Sequence, residues 1–345
     1  MFLNSELFDH QRGVSNKGYK KIKRNTLVLS TQNLHLGNAN VNLRFERGIV
    51  SPAYKTYDII GCNQYLLAHW IKSEKAKKFF YDATTVGASL CRRNVEWETL
   101  YEQTLALPNI GEQAKLARFF NLLTAHISAQ HKLVELLKKH KRGVQSALFE
   151  GILRIPCHAQ KCWTEWKCVK IGDVFEERSE RGGSADELLS VTINFGVKRQ
   201  SDTEKKDSSS EDKGNYKRVA AGDIVYNTMR MWQGASGVSP WAGIVSPAYT
   251  VIYPKKHQNT TFWAFAFKHW RLVQTFQKFS QGLTSDTWNL KFPQLADIKV
   301  KMPSLEEQNA IVEFLLKLDS QVTAAEYKLE KLTKMKSGFL QQLFV

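Results

Sequence analysis

The sequence has 345 residues, of which 43% are hydrophobic and 11% aromatic, so it holds enough apolar material for two or three domains and is not a disordered chain. No run of apolar residues approaches the roughly 18 that a membrane span needs. The first residues do not resemble a secretory signal. The five cysteines indicate a reducing cytoplasm. Lysine and arginine outnumber aspartate and glutamate by 49 to 33, and this net charge of +16 predicts a polyanionic partner, with nucleic acid first and an anionic membrane surface second.

A duplicated segment divides the chain into two copies of one unit. Residues 48–54 (GIVSPAY) recur unchanged as residues 243–249, at an offset of 195 residues, and the same offset pairs Gly87 with Gly282. Seven consecutive identities are very improbable by chance. We therefore interpret the chain as a tandem duplication, which favours a pseudo-two-fold arrangement of the copies.

The first part of each copy is predicted to be a mixed α+β domain. In the second copy, residues 219–227 (VAAGDIVYN) are typical of one strand and residues 243–253 (GIVSPAYTVIY) of another, with Pro247 at an edge or a bulge. Residues 262–279 are aromatic and basic and predict a helix. The polar residues 201–213 indicate a solvated loop tip.

The second part of each copy is predicted to be one long helix. Apolar residues recur at alternating steps of four and three, which is typical of a coiled-coil seam, and each seam carries one lysine at the same repeat position, Lys141 or Lys336. At about 1.5 Å per residue, each seam is on the order of 50 Å long. The apolar seam residues are Leu116, Phe120, Leu123, Ile127, Val134 and Leu137 in the first helix and Ile311, Leu315, Leu318, Val322, Leu329 and Leu332 in the second.

This pattern leaves two packing arrangements open. Either the two helices pack on each other, or each is a separate amphipathic helix in the core of its own domain. The length of the apolar stripes and the matched lysines favour packing of one helix on the other. A Pro-x-x-x-Glu-Gln stretch before each helix indicates where it starts, and Ser304 is a candidate N-cap.

The motifs of several common enzyme classes are absent from the sequence. It contains no Gly-x-x-x-x-Gly-Lys-Ser/Thr loop, no Gly-x-Gly-x-x-Gly after a strand and no Asn/Asp-Pro-Pro-aromatic stretch. Asp186 together with residues 204–206 (EKK) resembles the motif of a metal-dependent nuclease only weakly. Residues 204–206 lie in the low-complexity segment, where carboxylates would not be held around a metal. Cys157, Cys162 and Cys168 miss the spacing of a zinc site and are expected to be free thiols. We predict no catalytic residue and no metal site.

Several motifs recur in the same order in both copies. Each globular part ends in Leu/Met-Pro-x-x-x-Glu-Gln, at residues 107–113 and 302–308, and each long helix ends in Lys-x-Gly-hydrophobic followed by Leu-Phe. The second domain opens with Trp-x-x-Val-x-Ile-Gly-Asp at residues 166–173 and contains Ala-Gly-Asp-Ile-Val at residues 221–225. Over nearly its whole length the chain therefore resembles the specificity (S) subunit of type I restriction–modification systems.

The resemblance implies an α+β fold with two globular target recognition domains joined by two long helices that form an antiparallel coiled coil. It implies a non-catalytic, cytoplasmic, DNA-binding subunit whose domains each read one half of a split DNA sequence. The implied partners are double-stranded DNA, two modification (methyltransferase) subunits on the helical regions and, as an optional addition, restriction subunits, with no membrane. No cofactor is expected in this chain, whereas S-adenosylmethionine is expected in the partner subunits, which methylate adenine.

The motifs predict five segments along the chain. These are a first target recognition domain at 1–108 with its opening segment missing, a first long spacer helix at 109–150, a linker at 151–165, a second target recognition domain at 166–303 and a second long spacer helix at 304–345.

DNA contacts are predicted in the second domain. Lysines and arginines would neutralise phosphates, and a few polar side chains would read base edges. A spacer of about 50 Å corresponds to roughly 15 base pairs at about 3.4 Å each, the scale of two half-sites. Each candidate can instead be a solvated surface residue, and the duplicated GIVSPAY segments are interpreted as structural. The candidates are Lys198, Arg199, Arg218, Arg230, Trp232, Gln233, Ser285, Asp286 and Asn289.

The first copy departs from this pattern at its beginning. It has 18 residues before Tyr19, whereas the second copy has about 50 residues from Trp166 to Tyr216, so the first domain is expected to lack its opening segment. A truncated gene, a misplaced start and a piece supplied by another chain are all compatible with this difference. The leading prediction is a DNA-binding specificity subunit. The alternative is a truncated assembly subunit that binds the modification subunits without selecting a full DNA target.

Overall fold

The computed structural model describes residues 18–89, 92–156, 163–183, 186–193, 196–203, 212–284 and 286–343. The chain divides into two compact units, of which the first contains Met1–Glu135 and Thr323–Val345 and the second contains Leu136–Val322. Each unit combines a globular part with segments of both long helices. The domain boundaries predicted from the sequence stay predictions, because this division cuts through the long helices rather than at their ends.

The first unit contains small antiparallel sheets and short helices. Its elements are β1 Lys20–Lys23, β2 Leu27–Ser30, β3 Ala39–Val41, β4 Arg47–Val50, β5 Tyr54–Tyr57, α1 Gln64–Trp70, α2 Glu74–Asp82, β6 Thr84–Ser89, β7 Arg92–Val95, α3 Trp97–Glu102 and the beginning of α4 Ile110–Phe149. Strand β2 pairs with β3 on one side and with β5 on the other, β1 pairs with β4, and β6 pairs with β7. Leu34, Leu66, Phe80 and Phe120 are buried in its core.

The second unit repeats this arrangement and adds further strands. Its elements are β8 Lys167–Lys170, α5 Ile171–Val174, β9 Phe175–Glu177, β10 Leu189–Thr192, β11 Gly196–Arg199, β12 Lys217–Val219, β13 Ile224–Asn227, β14 Ser236–Val238, β15 Gly243–Val245, β16 Tyr249–Pro254, α6 Thr260–Ala266, α7 Trp270–Phe279, α8 Phe292–Ala296, β17 Lys299–Met302 and much of α9 Leu305–Gln342. The strand order of its largest sheet is β14-β13-β16-β9, beside the pairs β12-β15, β10-β11 and β8-β17. Phe175, Trp263, Phe267 and Phe276 are fully buried in its core.

Three sequence-based expectations about this unit were wrong in detail. Residues 219–227 do not form one strand, because a turn at 220–223 separates β12 from β13. Residues 243–253 form two strands rather than one, since Pro247 lies in a turn between β15 and β16. Residues 262–279 fall into two helices, α6 and α7, rather than one. The mixed α+β architecture with two long helices is nevertheless confirmed, and no helix within the described ranges has both the length and the apolar character to cross a bilayer.

The Glu-Gln motif at the start of each long helix explains why the motif recurs. In the first unit the Gln113 side-chain oxygen accepts a hydrogen bond from the backbone N–H of Asn63 at 2.7 Å, and its amide donates to the carbonyl of the motif's own proline at 2.9 Å. Gln308 makes the same two bonds in the second unit, with Asn259 and with the proline carbonyl, both at 3.1 Å. Asn63 and Asn259 cap α1 and α6, so each glutamine joins the long helix to the first helix of its domain.

The start of each long helix is also capped by a side chain. The Ser304 hydroxyl accepts a hydrogen bond from the backbone N–H of Glu307 at 3.3 Å, which confirms the predicted cap. In the first copy the side-chain oxygen of Asn109 accepts from the N–H of Glu112 at 3.0 Å. Both caps satisfy a backbone donor that the helix itself leaves without a partner.

Candidate nucleic-acid interface and helix seam

A loop of the second unit runs from Gln281 to Asn289 and is closed at its base by backbone pairing. The N–H of Gln281 donates to the carbonyl of Asn289 at 2.9 Å, and the N–H of Asn289 donates back at 2.8 Å. Leu283 is completely exposed near the turn of the loop, and Asp286 is exposed beyond it. The predicted DNA contact Ser285 lies outside the described residues. The loop thus projects from the domain on a fixed base.

Two tryptophans meet beside the base of this loop. The ring of Trp232, on the short 3-10 helix Met231–Gln233, lies 5.2 Å from the ring of Trp288 in an edge-to-face arrangement. The indole N–H of Trp232 donates to the carbonyl of Met229 at 3.0 Å. Met231 is fully buried, and Gly234 ends the turn with a left-handed φ of 77°. These contacts hold Trp232 in one position although its side chain is only half-buried.

Polar candidates flank the tryptophan pair. Arg230 is exposed directly before the short helix. The side-chain oxygens of Gln233 and Asn289 are buried and have no hydrogen-bond partner in the described part of the chain. Buried acceptors without a donor are costly, so these two amides are suited to donors from a bound molecule or from water. Among the predicted contacts, Arg230, Trp232, Gln233, Asp286 and Asn289 therefore lie around one loop.

The remaining candidates form a second group, around β15. Lys198 and Arg199 end β11, whose hairpin partner β10 contacts β15, and Arg218 lies on β12, which pairs with β15. The Arg199 guanidinium is 5.2 Å from the ring centroid of Trp241. Arg218 lies 3.8 Å from the carboxylate of Glu180, which offsets part of its charge. Arg218 therefore has a carboxylate near its guanidinium, whereas Arg199 lies against an aromatic ring.

Sequence reasoning missed the tryptophans that organise both groups. Trp288 supports Trp232 in the first group, and Trp241 lies against Arg199 in the second. The sequence did carry a signal, because Trp288 directly precedes the candidate Asn289 in the loop that contains Gly282. An aromatic face and a polar side chain at successive positions are a pairing that nucleic-acid interfaces use.

The cysteine and carboxylate clusters weighed above form no metal site in the described residues. Cys168 is a free, exposed thiol on β8, whereas Cys157 and Cys162 lie outside the described residues. The Asp186 carboxylate accepts a hydrogen bond from the N–H of Gly183 at 2.9 Å and closes a local turn, and residues 204–206 lie outside the described residues. Across the described ranges, no group of three or more His, Cys, Asp and Glu side chains is arranged to hold a metal ion.

The twelve predicted seam residues all lie on α4 or α9, and each is buried or half-buried. Within the first unit, the rings of Phe119 and Phe339 are 5.2 Å apart, and the Gln130 side-chain amide donates to the carbonyl of Ala325 at 2.9 Å. As α4 advances from 119 to 130, its partner position on α9 recedes from 339 to 325. The helices therefore run antiparallel in this unit, as predicted.

The two seam lysines have different partners at the same repeat position. In the second unit Lys141 forms an ion pair with Asp319. In the first unit Lys336 donates to the hydroxyl of Thr124 at 2.8 Å, and burial lowers the pKa of Lys336. Thr124 and Asp319 are one repeat apart, so both units use the same antiparallel register.

The outer ends of the long helices also belong to the domain cores. Leu116 and Phe120 pack into the core of the first unit, where the His69 ring lies 5.5 Å from Phe120. Ile311 and Leu315 pack into the core of the second unit. The two packing arrangements left open by the sequence are thus both present, one at the helix ends and one between the helices.

Solved structures of similar fold cover most of this chain. It is similar to the HsdS subunit from Thermoanaerobacter tengcongensis at 15% identity, with a TM-score of 0.55 over 94% of this chain and 81% of that chain. It is similar to a chain from a study of complex assembly and conformational transition of the type I R-M system at 16% identity, with a TM-score of 0.59 over 94% and 83%. A type I restriction–modification S subunit from M. genitalium matches at 14% identity, with a TM-score of 0.53 over 94% and 83%. At these identities the likeness establishes the fold.

A family model carries the comparison beyond the fold. The model described as Type I restriction modification DNA specificity domain matches residues 164–334. The matched range contains both candidate groups around the Trp232 loop and around β15, together with most of α9.

Proposed function

Since this chain belongs to the specificity subunits of type I restriction–modification systems, with the DNA specificity domain in residues 164–334, we propose that it is the sequence-specific DNA-binding subunit of such a complex. It reads a bipartite target and recruits adenine methyltransferase subunits, with restriction subunits as an optional addition. It acts in the cytoplasm and carries no catalytic residue of its own. Residues 1–108 and 166–303 are its recognition domains, 109–150 and 304–345 its spacer helices and 151–165 its linker.

The observation that carries this proposal is the loop from Gln281 to Asn289 with its tryptophan pair. A projecting loop on a fixed base can enter a groove, while the exposed Arg230 beside it supplies positive charge for a phosphate. Among the described residues, the amide oxygens of Gln233 and Asn289 are buried acceptors without a hydrogen-bond donor. Amide side chains are among the groups that distinguish base pairs in the major groove.

The seam supports the spacing that a bipartite reader needs. In each unit, the antiparallel register fixes which residues of the two helices face each other. The Lys141–Asp319 and Lys336–Thr124 contacts define the same register in each unit. A bipartite target with a constant gap is the expected result.

The decisive experiment is co-expression with the neighbouring modification gene, followed by mapping of methylated adenines across the host genome. A split motif with a constant gap supports the proposed function. For the purified complex, Arg230→Ala should weaken DNA binding and lower the salt slope by about one, with folding unchanged. Lys317→Ala is the matched control, because Lys317 is an exposed cation that pairs with Glu313 on the outside of α9. Equal affinity of Arg230→Ala and the parent at several salt concentrations would remove Arg230 from the interface.

A second candidate function is supported by exposed apolar surface on the first unit. Ile49 in the duplicated GIVSPAY segment is 48% exposed, whereas its counterpart Ile244 is fully buried. A subunit whose first domain is incomplete would bind modification subunits without selecting a full target. In that case the methylation map would contain one half-motif or none.

A further inference from the structure

The short helix that carries candidate DNA contacts in the second unit has a counterpart in the first unit. In the second unit the 3-10 helix Met231–Gln233 lies between β13 and β14 and ends at a glycine with a φ of 77°. In the first unit the 3-10 helix Leu34–Leu36 lies between β2 and β3 and ends at a glycine with a φ of 84°. His35 therefore has the position in the first unit that Trp232 has in the second.

The loop that carries Asn289 has a counterpart as well. The repeat offset of 195 residues pairs Trp288 with Arg93 and Asn289 with Asn94, and these two counterparts lie on β7 of the β6–β7 hairpin. Asn33 joins the short helix to this strand. Its backbone N–H donates to the carbonyl of Arg93, and its side-chain oxygen accepts from the N–H of Arg93, both at 3.3 Å. The first unit therefore places a short helix beside a hairpin strand, as the second unit does.

Neutral groups hold the side chain of Arg93 in one orientation. Its guanidinium donates to the hydroxyl and to the carbonyl of Thr84, each at 2.7 Å, and lies 4.1 Å from the centroid of the Tyr81 ring. Thr84 is buried, so both acceptors have a fixed position. Because these partners carry no negative charge, they orient the guanidinium without neutralising it. Such an arginine is suited to bind a phosphate of a duplex.

His35 presents a polar atom without a partner. Its ring lies edge-on to the ring of Tyr81, with centroids 6.0 Å apart, and its Nδ1 is buried with no hydrogen-bond partner in the described part of the chain. Gln233 and Asn289 have such atoms at the equivalent place in the second unit. Burial and the charge of Arg93 lower the pKa of His35, so its neutral ring offers one donor and one acceptor.

Exposed side chains lie around His35 and Arg93. Gln32 and Asn94 are opposite each other in an antiparallel bridge, and the side chains of both are exposed. Opposite residues of such a bridge point to the same face, about 5 Å apart, so the two amides belong to one surface. Leu36, next to His35, is 61% exposed. Amides bond to base edges and apolar groups contact thymine methyl groups, so this surface has the groups that distinguish base pairs in the major groove.

We propose that these residues of the first unit form a second DNA-reading site, which contacts the other half of the target. Arg93 binds a phosphate, and His35, Asn94 and Gln32 bond to base edges, with Leu36 against an apolar base edge. This inference rests on the proposed function and extends it, because all the candidate contacts predicted from the sequence lie in the second unit.

The two reading sites share their positions in the repeat but differ in their chemistry. His35 and Arg93 stand in place of the two tryptophans of the second unit, whereas Asn94 corresponds to an asparagine there. A neutral imidazole and a guanidinium offer hydrogen bonds that an indole pair does not offer. The two halves of the target are therefore expected to differ in sequence.

The test is the map of methylated adenines for the full chain co-expressed with the modification gene, in the parent and in variants of each unit. Arg93→Ala and Asn94→Ala should relax one or more base pairs in one half of the motif and leave the gap and the other half unchanged. Gln233→Ala should relax the opposite half instead. Since selection of the unchanged half requires a folded complex, this pattern separates the loss of a contact from the loss of structure.

The purified complex gives a second readout, by titration with a duplex that contains the mapped motif. Arg93→Ala should weaken binding by roughly fivefold or more and lower the salt slope by about one. Arg24→Ala is the matched control, because Arg24 is an exposed arginine of the first unit that pairs with Glu46 at 2.6 Å. It should leave the affinity within roughly twofold of the parent.

Maps of Arg93→Ala and Asn94→Ala that both match the parent would overturn this inference and leave the proposed function intact. Relaxation of the same half by Asn94→Ala and by Gln233→Ala would also overturn it, because both units would then act on one half-site. A parent map with one half-motif that changes only with Gln233→Ala would have the same meaning. A map without any motif would contradict the proposed function itself, and this inference with it.

Discussion

Gln130 donates its side-chain amide to the carbonyl of Ala325 at 2.9 Å, and Ala325 is the residue at its own position in the second repeat. Gln130 is 5% exposed and Ala325 is 8% exposed, so a polar group at the seam is satisfied by the backbone of its own duplicate. A buried polar group that finds its partner in a mostly apolar seam helps to specify the register of the two helices. The contact therefore places equivalent positions of α4 and α9 opposite each other.

Exchanging the partners of the two seam lysines, Lys141 and Lys336, should change the free energy of unfolding in opposite directions. Asp319→Thr gives Lys141 the neutral partner that Lys336 has, and leaves Lys141 beside Lys268 without a counter-charge. We expect it to lower the free energy of unfolding by about 1 kcal/mol. Thr124→Asp gives Lys336 a carboxylate and should raise the unfolding free energy by a smaller amount. Urea unfolding of both variants measures the two changes, and changes of the same sign would contradict the account.

A charge at the centre of the seam should separate the helices. Leu329 is half-buried on α9, so Leu329→Asp should cost about 2 kcal/mol and weaken docking of modification subunits. Tyr327 lies two residues away and is 67% exposed, which makes Tyr327→Asp the matched control. Thermal melting and co-purification of the modification subunits are the measurements. If both variants melted and docked like the parent, the seam would not be where the helices meet.

The duplicated glycines should differ in their tolerance of alanine. Gly243→Ala forces its Cβ to within 2.4 Å of the Glu187 carbonyl oxygen, so we expect a loss of roughly 2 kcal/mol. A Cβ on Gly48→Ala would make only ordinary contacts with the Ile22 side chain, from 3.5 Å, so this variant should change the stability of the chain by less than about 0.5 kcal/mol. Calorimetry of the two variants checks this directly. Equal destabilisation would mean that another segment already covers Gly48 in the isolated chain.

His269 should make the second unit sensitive to acid. It is 8% exposed before α7, and burial lowers its pKa below the ordinary 6.5, although the Glu150 carboxylate at 3.6 Å opposes the shift and Arg271 adds to it. Below about pH 6.5 the unfolded chain then binds more protons than the folded one, so stability falls as the pH drops through the lowered pKa.

The measurement for His269 is the melting temperature of the parent and of His269→Gln between pH 7.5 and 5.5. The parent should lose more stability than the variant over this range. His69 is a second histidine whose pKa is lowered by burial, and its contribution is common to both proteins. Parallel curves for the two proteins would show that His269 does not titrate differently in the folded state.

The long helices could be predicted from the sequence because their signal is periodic and sustained. Steps of four and three over 33 residues from Ile311 to Leu343 leave few alternatives to a helix, and the predicted seam residues are all at least half-buried. The partners of Lys141 and Lys336 could not be predicted in the same way. They depend on the register between two helices, which is set by contacts such as that of Gln130 with Ala325.

The strands around Pro247 and the group around Trp232 were harder to predict from the sequence. A run such as GIVSPAYTVIY has the composition of one strand, and only the turn at Pro247 shows that β15 and β16 pair with different neighbours. The meeting of Trp232 with Trp288 joins residues far apart in sequence, so no local pattern encodes it. Nothing in the sequence distinguishes Arg218 from Arg199 as a candidate DNA contact. In the fold, Arg218 has the carboxylate of Glu180 nearby at 3.8 Å.

The bonds of Gln113 and Gln308 have a mechanical consequence. Each glutamine connects the first turn of a long helix to the capping asparagine of a neighbouring helix in the same unit. This hydrogen bond restricts rotation of the long helix at its first turn. Within each unit, the direction of the first turn of the long helix is therefore linked to the position of the first helix of the same domain.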